Sequence, residues 1–261
     1  MPTPFKLTAA QRAEFDQTGV IRLPGVLPAE DAAAMARSLW NDLSRRYGAR
    51  SDRPDTWTEI RPAHFQALGR SGAFDPFDCP EVLAMADAIA AGSASWARAF
   101  RGGQPLVTFP TGDWDIPHQH WHFDRPVSGD DTDIAVIRLF TFLEPVHPRG
   151  GGTLFVAGSH RVACTCARQF GSLTPFKSAV ARTLLRHASP WFDALCSPDG
   201  GDRVHRFMRE GASVHGVQVR VEEMTGEPGD LVVMHPAMMH AYAPNSLDRP
   251  RMMLTQWLAR S

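Results

Sequence analysis

The eleven histidines of this 261-residue chain are unevenly spread. Three fall within five residues, in the run Pro117-His118-Gln119-His120-Trp121-His122-Phe123-Asp124. His122 and Asp124 stand two apart. On a strand, residues two apart face the same side, which sets an imidazole beside a carboxylate as two neighbouring ligands of one metal ion would need. An H-x-D pair alone is common, so a third ligand must come from a distant part of the chain. Gly229-Asp230-Leu231-Val232-Val233-Met234-His235-Pro236-Ala237-Met238-Met239-His240 offers one: a turn launches an apolar strand, and a histidine follows 118 residues beyond His122. Two histidines and one carboxylate with open positions form the facial triad of non-haem Fe(II) oxygenases. His235, just before Pro236, is the alternative third ligand. His120 shares strand parity with His122 and is a candidate supporting or substrate contact; His118 is a weaker one. His160 reads as structural.

Arg251 follows His240 by eleven residues and opens the last apolar run, Arg251-Met252-Met253-Leu254. A guanidinium suits bidentate recognition of a carboxylate, and the dicarboxylate that fits beside a facial-triad iron is 2-oxoglutarate. Arg249 precedes Pro250 and reads as a turn residue.

The elements that must position these groups change character along the chain. Thr8, Gln11 and Gly19 bracket a first helix. Residues 19–27 read as a short strand and turn. Residues 29–47 form an amphipathic helix with Ala36, Leu39, Trp40, Leu43 and Tyr47 on one face. Residues 49–80 read as irregular, and a helix at about 81–92, continuing toward Phe100, follows. From Pro105 onward come short runs rich in β-branched and aromatic residues: PLVTF, IAVIRLFTFL, TLFVA, VQVRVEE, DLVVMH and RMMLTQWLA. Helices first and antiparallel strands after indicate a mainly β, α+β chain: a β-sandwich or jelly roll with helices packed outside. A long, partly helical insertion occupies about 161–216. No repeat or linker divides the chain, so one domain spanning 1–261 is expected, with a helical part at 1–104 and a jelly-roll core at 105–261.

With 27 basic and 28 acidic side chains the balance is nearly neutral, which argues against a dedicated nucleic-acid binder. No apolar run approaches a membrane span, and the N-terminus lacks an apolar signal core. Four cysteines are too few for a disulfide framework at this size. The expectation is a cytoplasmic protein acting on a small molecule, with no nucleic-acid or membrane partner.

The chain resembles the phytanoyl-CoA dioxygenase (PhyH) family of Fe(II)/2-oxoglutarate oxygenases. Phe15 through Leu27 looks like the family's opening helix and strand, and Trp121-His122-Phe123-Asp124 like its first metal motif. Gly151 through His160 is similar to its Gly-rich turn and "PGSH" strand, with Ala157 where proline is usual. Gly229 through His240, then Asn245 and Arg251, look like its closing set. The resemblance implies a double-stranded β-helix (a cupin-like jelly roll), iron on His122, Asp124 and His240, and 2-oxoglutarate on Arg251. It places Phe140 beside the cosubstrate, with Thr153 and Thr141 as helpers. It also implies that O2 is consumed and 2-oxoglutarate split to succinate and CO2 as a substrate C–H bond is hydroxylated or desaturated. Related halogenases carry a small residue where Asp124 stands, so halogenation is disfavoured.

Two other readings keep part of this pattern. A cupin-like metalloenzyme of another reaction type would need the ligands but not Arg251, and a non-catalytic homologue would bind a ligand without turnover. No motif reads CoA phosphates, and the run Arg45, Arg46, Arg50, Arg53 reads as a solvated helix end. The 161–216 insertion is expected to shape the substrate pocket.

Overall fold

The structure is a computed structural model and describes residues 5–90, 95–129, 134–170, 176–198 and 201–261. Helix α1 (Ala9–Thr18) carries the expected reciprocal cap between Thr8 and Gln11 and ends at Gly19, which is left-handed at φ 81°. Strand β1 (Val20–Leu23) follows, then α2 (Ala29–Tyr47), α3 (Gln66–Arg70) and α4 (Pro80–Ile89). The expected continuation of α4 fails. Residues 91–94 lie outside the described residues, and Trp96–Arg98 is a strand, β2. Its residues pair with the end of the last strand, and that pairing overrides their helical propensity.

Strands β3 (Gln104–Thr108), β4 (Val136–Phe142) and β5 (Leu154–Ala157) lead to the insertion, which holds α5 (Ser159–Gln169), α6 (Ser178–Ala188), α7 (Pro190–Leu195) and a π-helical turn, His205–Glu210. Strands β6 (Ala212–Val214), β7 (Val217–Glu223), β8 (Leu231–Met234), β9 (His240–Ala241) and β10 (Arg251–Arg260) complete the chain.

These strands form two antiparallel sheets. The larger has the order β1-β8-β4-β10-β2, with β3 also pairing β10; the smaller has the order β6-β7-β5-β9. The alternation of side chains sorts them into three apolar layers. Leu139 on β4, Val233 on β8 and Leu254 on β10 pack outward against α2 and α4. Leu154 and Val156 on β5 pack outward against α5, α6 and α7. Phe140, Phe142, Phe155, Val232, Met234 and Met253 face inward and fill the space between the sheets. Each such buried side chain contributes roughly 1.5–3 kcal/mol relative to exposure. Mostly antiparallel sheets with flanking helices are thus what the chain forms, as the strand pattern indicated.

Trp40 and Tyr47 pack partly buried against the outer layer, as their place on the α2 stripe implied. Cys164 and Cys166 form no disulfide among the described residues and are buried in α5, so they belong to the packing of the insertion. Among the described residues no helix is long and apolar enough to cross a membrane.

Candidate metal centre

The inward face of the larger sheet sets the geography. Register places Arg138 beside Trp257, Phe140 beside Thr255 and Phe142 beside Met253, on β4 and β10. One inward step beyond Met253 stands Arg251, opposite Thr108 on β3. Arg138 and Arg251 therefore occupy opposite ends of one row.

The three expected ligands meet at the Arg138 end. Donor atoms of His122, Asp124 and His240 lie within 4.8 Å of one another. His240 comes from β9, and His122 from the loop before β4. Their backbones form an isolated bridge, with reciprocal N–H···O bonds of 3.0 Å in both directions. The two rings lie 4.3 Å apart. His122 Nε2 is 3.4 Å from Asp124 Oδ1, and His240 Nε2 is 3.0 Å from Asp124 Oδ2.

The far side of each ring is tied down. His122 Nδ1 lies 2.8 Å from the carbonyl of His120, and His240 Nδ1 lies 3.1 Å from that of Met238. A carbonyl only accepts, so each Nδ1 carries the proton and each Nε2 presents its lone pair toward Asp124. Two lone pairs and a carboxylate turned on one point repel unless a cation joins them, so the donor set fits a divalent metal ion. Burial, His122 and Arg138 together push the His240 imidazole down to about 3, so it is neutral, the form that binds metal, at physiological pH.

That depression carries a stability consequence for the metal-free protein. The unfolded imidazole, with an ordinary value of 6.5, takes up a proton that the folded one refuses until about 3. Stability should therefore fall as pH drops from 6.5 toward 3. Urea titrations across this window should show the slope, and it should flatten in His240→Gln; an unchanged slope in that variant would refute the assignment.

The strand reading of the H-x-D run needs correction. Within His122-Phe123-Asp124 only His122 is paired, and Asp124 lies in the bend that follows, before a second bridge at Val127. His120 is not on the parity of His122. It sits at φ 65°, its carbonyl orients His122, and its ring lies 4.8 Å from that of Tyr242. His235 lies away from the centre, its ring 4.8 Å from that of His160 and 6.1 Å from that of Phe15, with Nδ1 accepting from Ala237 N–H.

Arg251 is buried at the other end of the row. One Nη donates to Thr108 Oγ1 at 2.6 Å, while Nε is buried with no hydrogen-bond partner. Burial lowers the guanidinium to about 10, partly offset by Glu223, so it remains a cation at neutral pH. Glu223 is itself held by the N–H groups of Arg149 (2.7 Å) and Gly152 (3.0 Å). Gly152 admits no side chain, because a Cβ there would stand 2.0 Å from the carbonyl of Met224. A buried cation with an unused donor is suited to an anionic guest.

Phe140 packs in the inner layer between the two arginines. Thr153 is buried beside β7, and its carbonyl accepts from Met224 N–H. Thr141 is corrected outright: it faces the other side of β4 and donates to the Asp230 carbonyl at 2.9 Å, which pins β4 to β8.

Two participants escaped the sequence reading. Thr108 is one. Arg138 is the other: its guanidinium lies against Asp124, with one Nη 3.5 Å from His240 Nε2, and Nε donates to Thr255 Oγ1 at 3.1 Å. It rests against the Phe140 and Trp257 rings, 5.0 and 4.8 Å away. A lone cation inside the apolar run VIRLFTF, on the parity of Phe140 and Phe142, was the available signal.

The insertion packs directly on the metal loop. Among the described residues, the cleft beside Asp124 is lined by β2, β4, β10 and the metal loop, with nothing from 161–216. The insertion instead braces that loop from behind. Ser178 Oγ accepts from Phe123 N–H at 2.9 Å, and Arg182 donates to the Trp121 carbonyl at 3.2 Å. The buried Arg203 donates to the carbonyls of Ile116 and Leu195 at 2.8 Å, and of Ser197 and Pro117 at 3.2 and 3.3 Å. Arg203→Ala strands several buried acceptors at about 1–3 kcal/mol each, so a loss of about 3 kcal/mol or more is expected in urea unfolding. A loss below about 1 kcal/mol, within what a typical single substitution costs, would show that the brace is dispensable.

Comparison with known proteins gives the family and the fold. The family model described as phytanoyl-CoA dioxygenase (PhyH) matches residues 15–253. Among solved structures, AviO1 from Streptomyces viridochromogenes Tue57 superposes with TM-score 0.57 at 18% identity, covering 99% of this chain and 96% of that one. The epimerase SnoN in complex with Fe3+, alpha ketoglutarate and nogalamycin RO gives 0.54 at 19%, covering 96% and 82%. Iron-bound HygX from Streptomyces hygroscopicus gives 0.54 at 16%, covering 98% and 87%. No curated protein sequence matches the chain.

Proposed function

Since the chain belongs to the phytanoyl-CoA dioxygenase family, whose members are iron- and 2-oxoglutarate-dependent enzymes, we propose that it hydroxylates or desaturates a C–H bond of a small molecule. Succinate and CO2 would be released in the same turnover. The observation that supports this best is the convergence of His122 Nε2, His240 Nε2 and the Asp124 carboxylate, with both Nδ1 atoms already spent on backbone carbonyls.

In this reading His122, Asp124 and His240 hold Fe(II), which with O2 and 2-oxoglutarate supplies the oxidising chemistry. Arg251 takes the distal carboxylate of 2-oxoglutarate through the buried Nε that has no protein partner. Phe140 and Met253 form the apolar wall between Arg251 and the ligands, where they exclude water and strengthen the charge contacts at each end. Thr153 supports the turn that presents Glu223 toward Arg251. Asp124 supplies a carboxylate where related halogenases carry a small residue, and this favours hydroxylation or desaturation over halogenation.

The test is spectroscopic and then chemical. Fe(II) and 2-oxoglutarate added anaerobically should give a visible metal-to-ligand charge-transfer band that neither gives alone, and admitting O2 should release succinate. A folded protein that shows no band and forms no succinate would overturn the oxygenase reading and bring a cupin-like enzyme of another reaction type forward.

A further inference from the structure

An open cleft of about 570 Å³ begins at the metal centre and runs along β2 and the end of β10. Its volume suits a small molecule. Among the described residues its charge is lopsided: Arg98, Arg125 and Arg138 line it with one carboxylate, that of Asp124. We propose that the substrate carries an oxyanion, a carboxylate or a phosphate, seated between Arg125 and Arg138 in this cleft. The inference rests on the reading of His122, Asp124 and His240 as metal ligands.

Three observations carry it. The first is the state of each arginine. Arg98 is already matched, 3.1 Å from Asp78. Arg125 is exposed on the cleft wall beside Asp124 and has no carboxylate partner among the described residues. Arg138 is held rigidly on β4 between two aromatic rings, with Nε committed to Thr255 and one Nη against Asp124, so what it can offer a guest is the Nη edge that Asp124 occupies in the metal-free arrangement.

The second is the change that metal binding forces. In the metal-free arrangement the counter-charge of Arg138 is Asp124. A carboxylate that ligates a divalent ion has its charge spent there, and Arg138 is left largely buried, facing another cation. A buried charge that loses its partner is costly, so the loaded site gains from an incoming anion at this point. Arg125, one residue beyond Asp124, adds a second cation on the same side. An arginine pair of this kind recognises carboxylates and phosphates through paired N–H donors.

The third is the separation from the cosubstrate end. Arg138 lies level with Trp257, whereas Arg251 lies three inward steps back along β10. Each two-residue step spans roughly 6.6 Å, so the two guanidinium-bearing residues are rooted roughly 20 Å apart. A cosubstrate anchored at Arg251 approaches the ligands from within the barrel, and the Arg125–Arg138 side of the cleft is left for the substrate. The apolar surfaces of Trp257, Phe100 and Val136 beside it accommodate the rest of such a molecule.

Calorimetry on protein loaded with Mn(II), which is redox-silent, and saturating 2-oxoglutarate tests this. The probes are benzoate, phenyl phosphate and their uncharged counterpart benzamide; the first two distinguish a carboxylate from a phosphate as the preferred group. At least one oxyanion should bind roughly tenfold or more tightly than benzamide, the lower end of what one charge-assisted contact provides. That preference should shrink at least tenfold in Arg138→Gln and severalfold in Arg125→Gln, a surface change that keeps the test valid if the first variant fails to fold. Affinity for 2-oxoglutarate should change less than twofold in Arg125→Gln. Equal binding of benzoate, phenyl phosphate and benzamide overturns the inference, as does a loss in Arg138→Gln that falls on 2-oxoglutarate instead. A folded protein that takes up neither Mn(II) nor 2-oxoglutarate in the preceding titrations overturns the oxygenase reading itself, and the inference with it.

Discussion

His240→Ala is expected to lose its metal by more than 100-fold in affinity, while His235→Ala, five residues earlier, keeps the wild-type value. The loss exceeds the roughly 10–100-fold that removal of a partner behind a ligand typically costs, because a ligand atom itself is gone. His240 supplies the most buried of the three donors, and its Nδ1 is locked on Met238. The backbone bridge to His122 uses only N–H and C=O groups and survives the truncation, so the fold should be retained. Mn(II) or Co(II) titration, with circular dichroism to confirm folding, decides the matter. Metal affinity unchanged in His240→Ala, or lost in His235→Ala, would reassign the third ligand.

The second large effect falls on the cosubstrate. Arg251→Met should raise the 2-oxoglutarate concentration needed for half-maximal succinate release by roughly 10- to 150-fold for each charged hydrogen bond lost, at about 1.5–3 kcal/mol apiece. Methionine keeps most of the apolar stem, and Glu223 keeps its two backbone donors, so folding should persist. Metal affinity should not move, since Arg251 lies at the far end of the row from the ligands. An Arg251→Met protein that saturates with 2-oxoglutarate as readily as the wild type would exclude Arg251 as its anchor.

Much of this was legible in the chain because the signals were local or strongly periodic. The α2 stripe, the Thr8–Gln11 cap and the β-branched and aromatic runs of β4, β7 and β10 are each decided by residues close in sequence. The three ligands and Arg251 stood out because charged or imidazole groups at the ends of apolar runs have few structural uses. What escaped was non-local. Strand β2 exists because β10 is long enough to pair with β3 and β2 in turn. His120 lost its expected parity because it sits at positive φ, just before the isolated bridge at His122. Arg138 looked like an interruption in a strand, and only the inward face it shares with Trp257 and Thr255 gives it a place in the site. The contacts by which the insertion holds the metal loop, through the buried Arg203 and the Ser178 hydroxyl, likewise join residues far apart in sequence.

The bridge between His122 and His240 also bears on solubility. Strand β9 is the outermost strand of the smaller sheet, and outermost strands offer unpaired amides that recruit other chains. Here the loop that carries two ligands lies along that border and takes up the amide and carbonyl of His240. A bound metal staples the loop to the border through three side chains, so chelation should loosen it and expose a ready template for intermolecular pairing. Prolonged storage with a chelator should therefore favour higher-order species, detectable by light scattering before any loss of secondary structure, and restoring the metal early should prevent them.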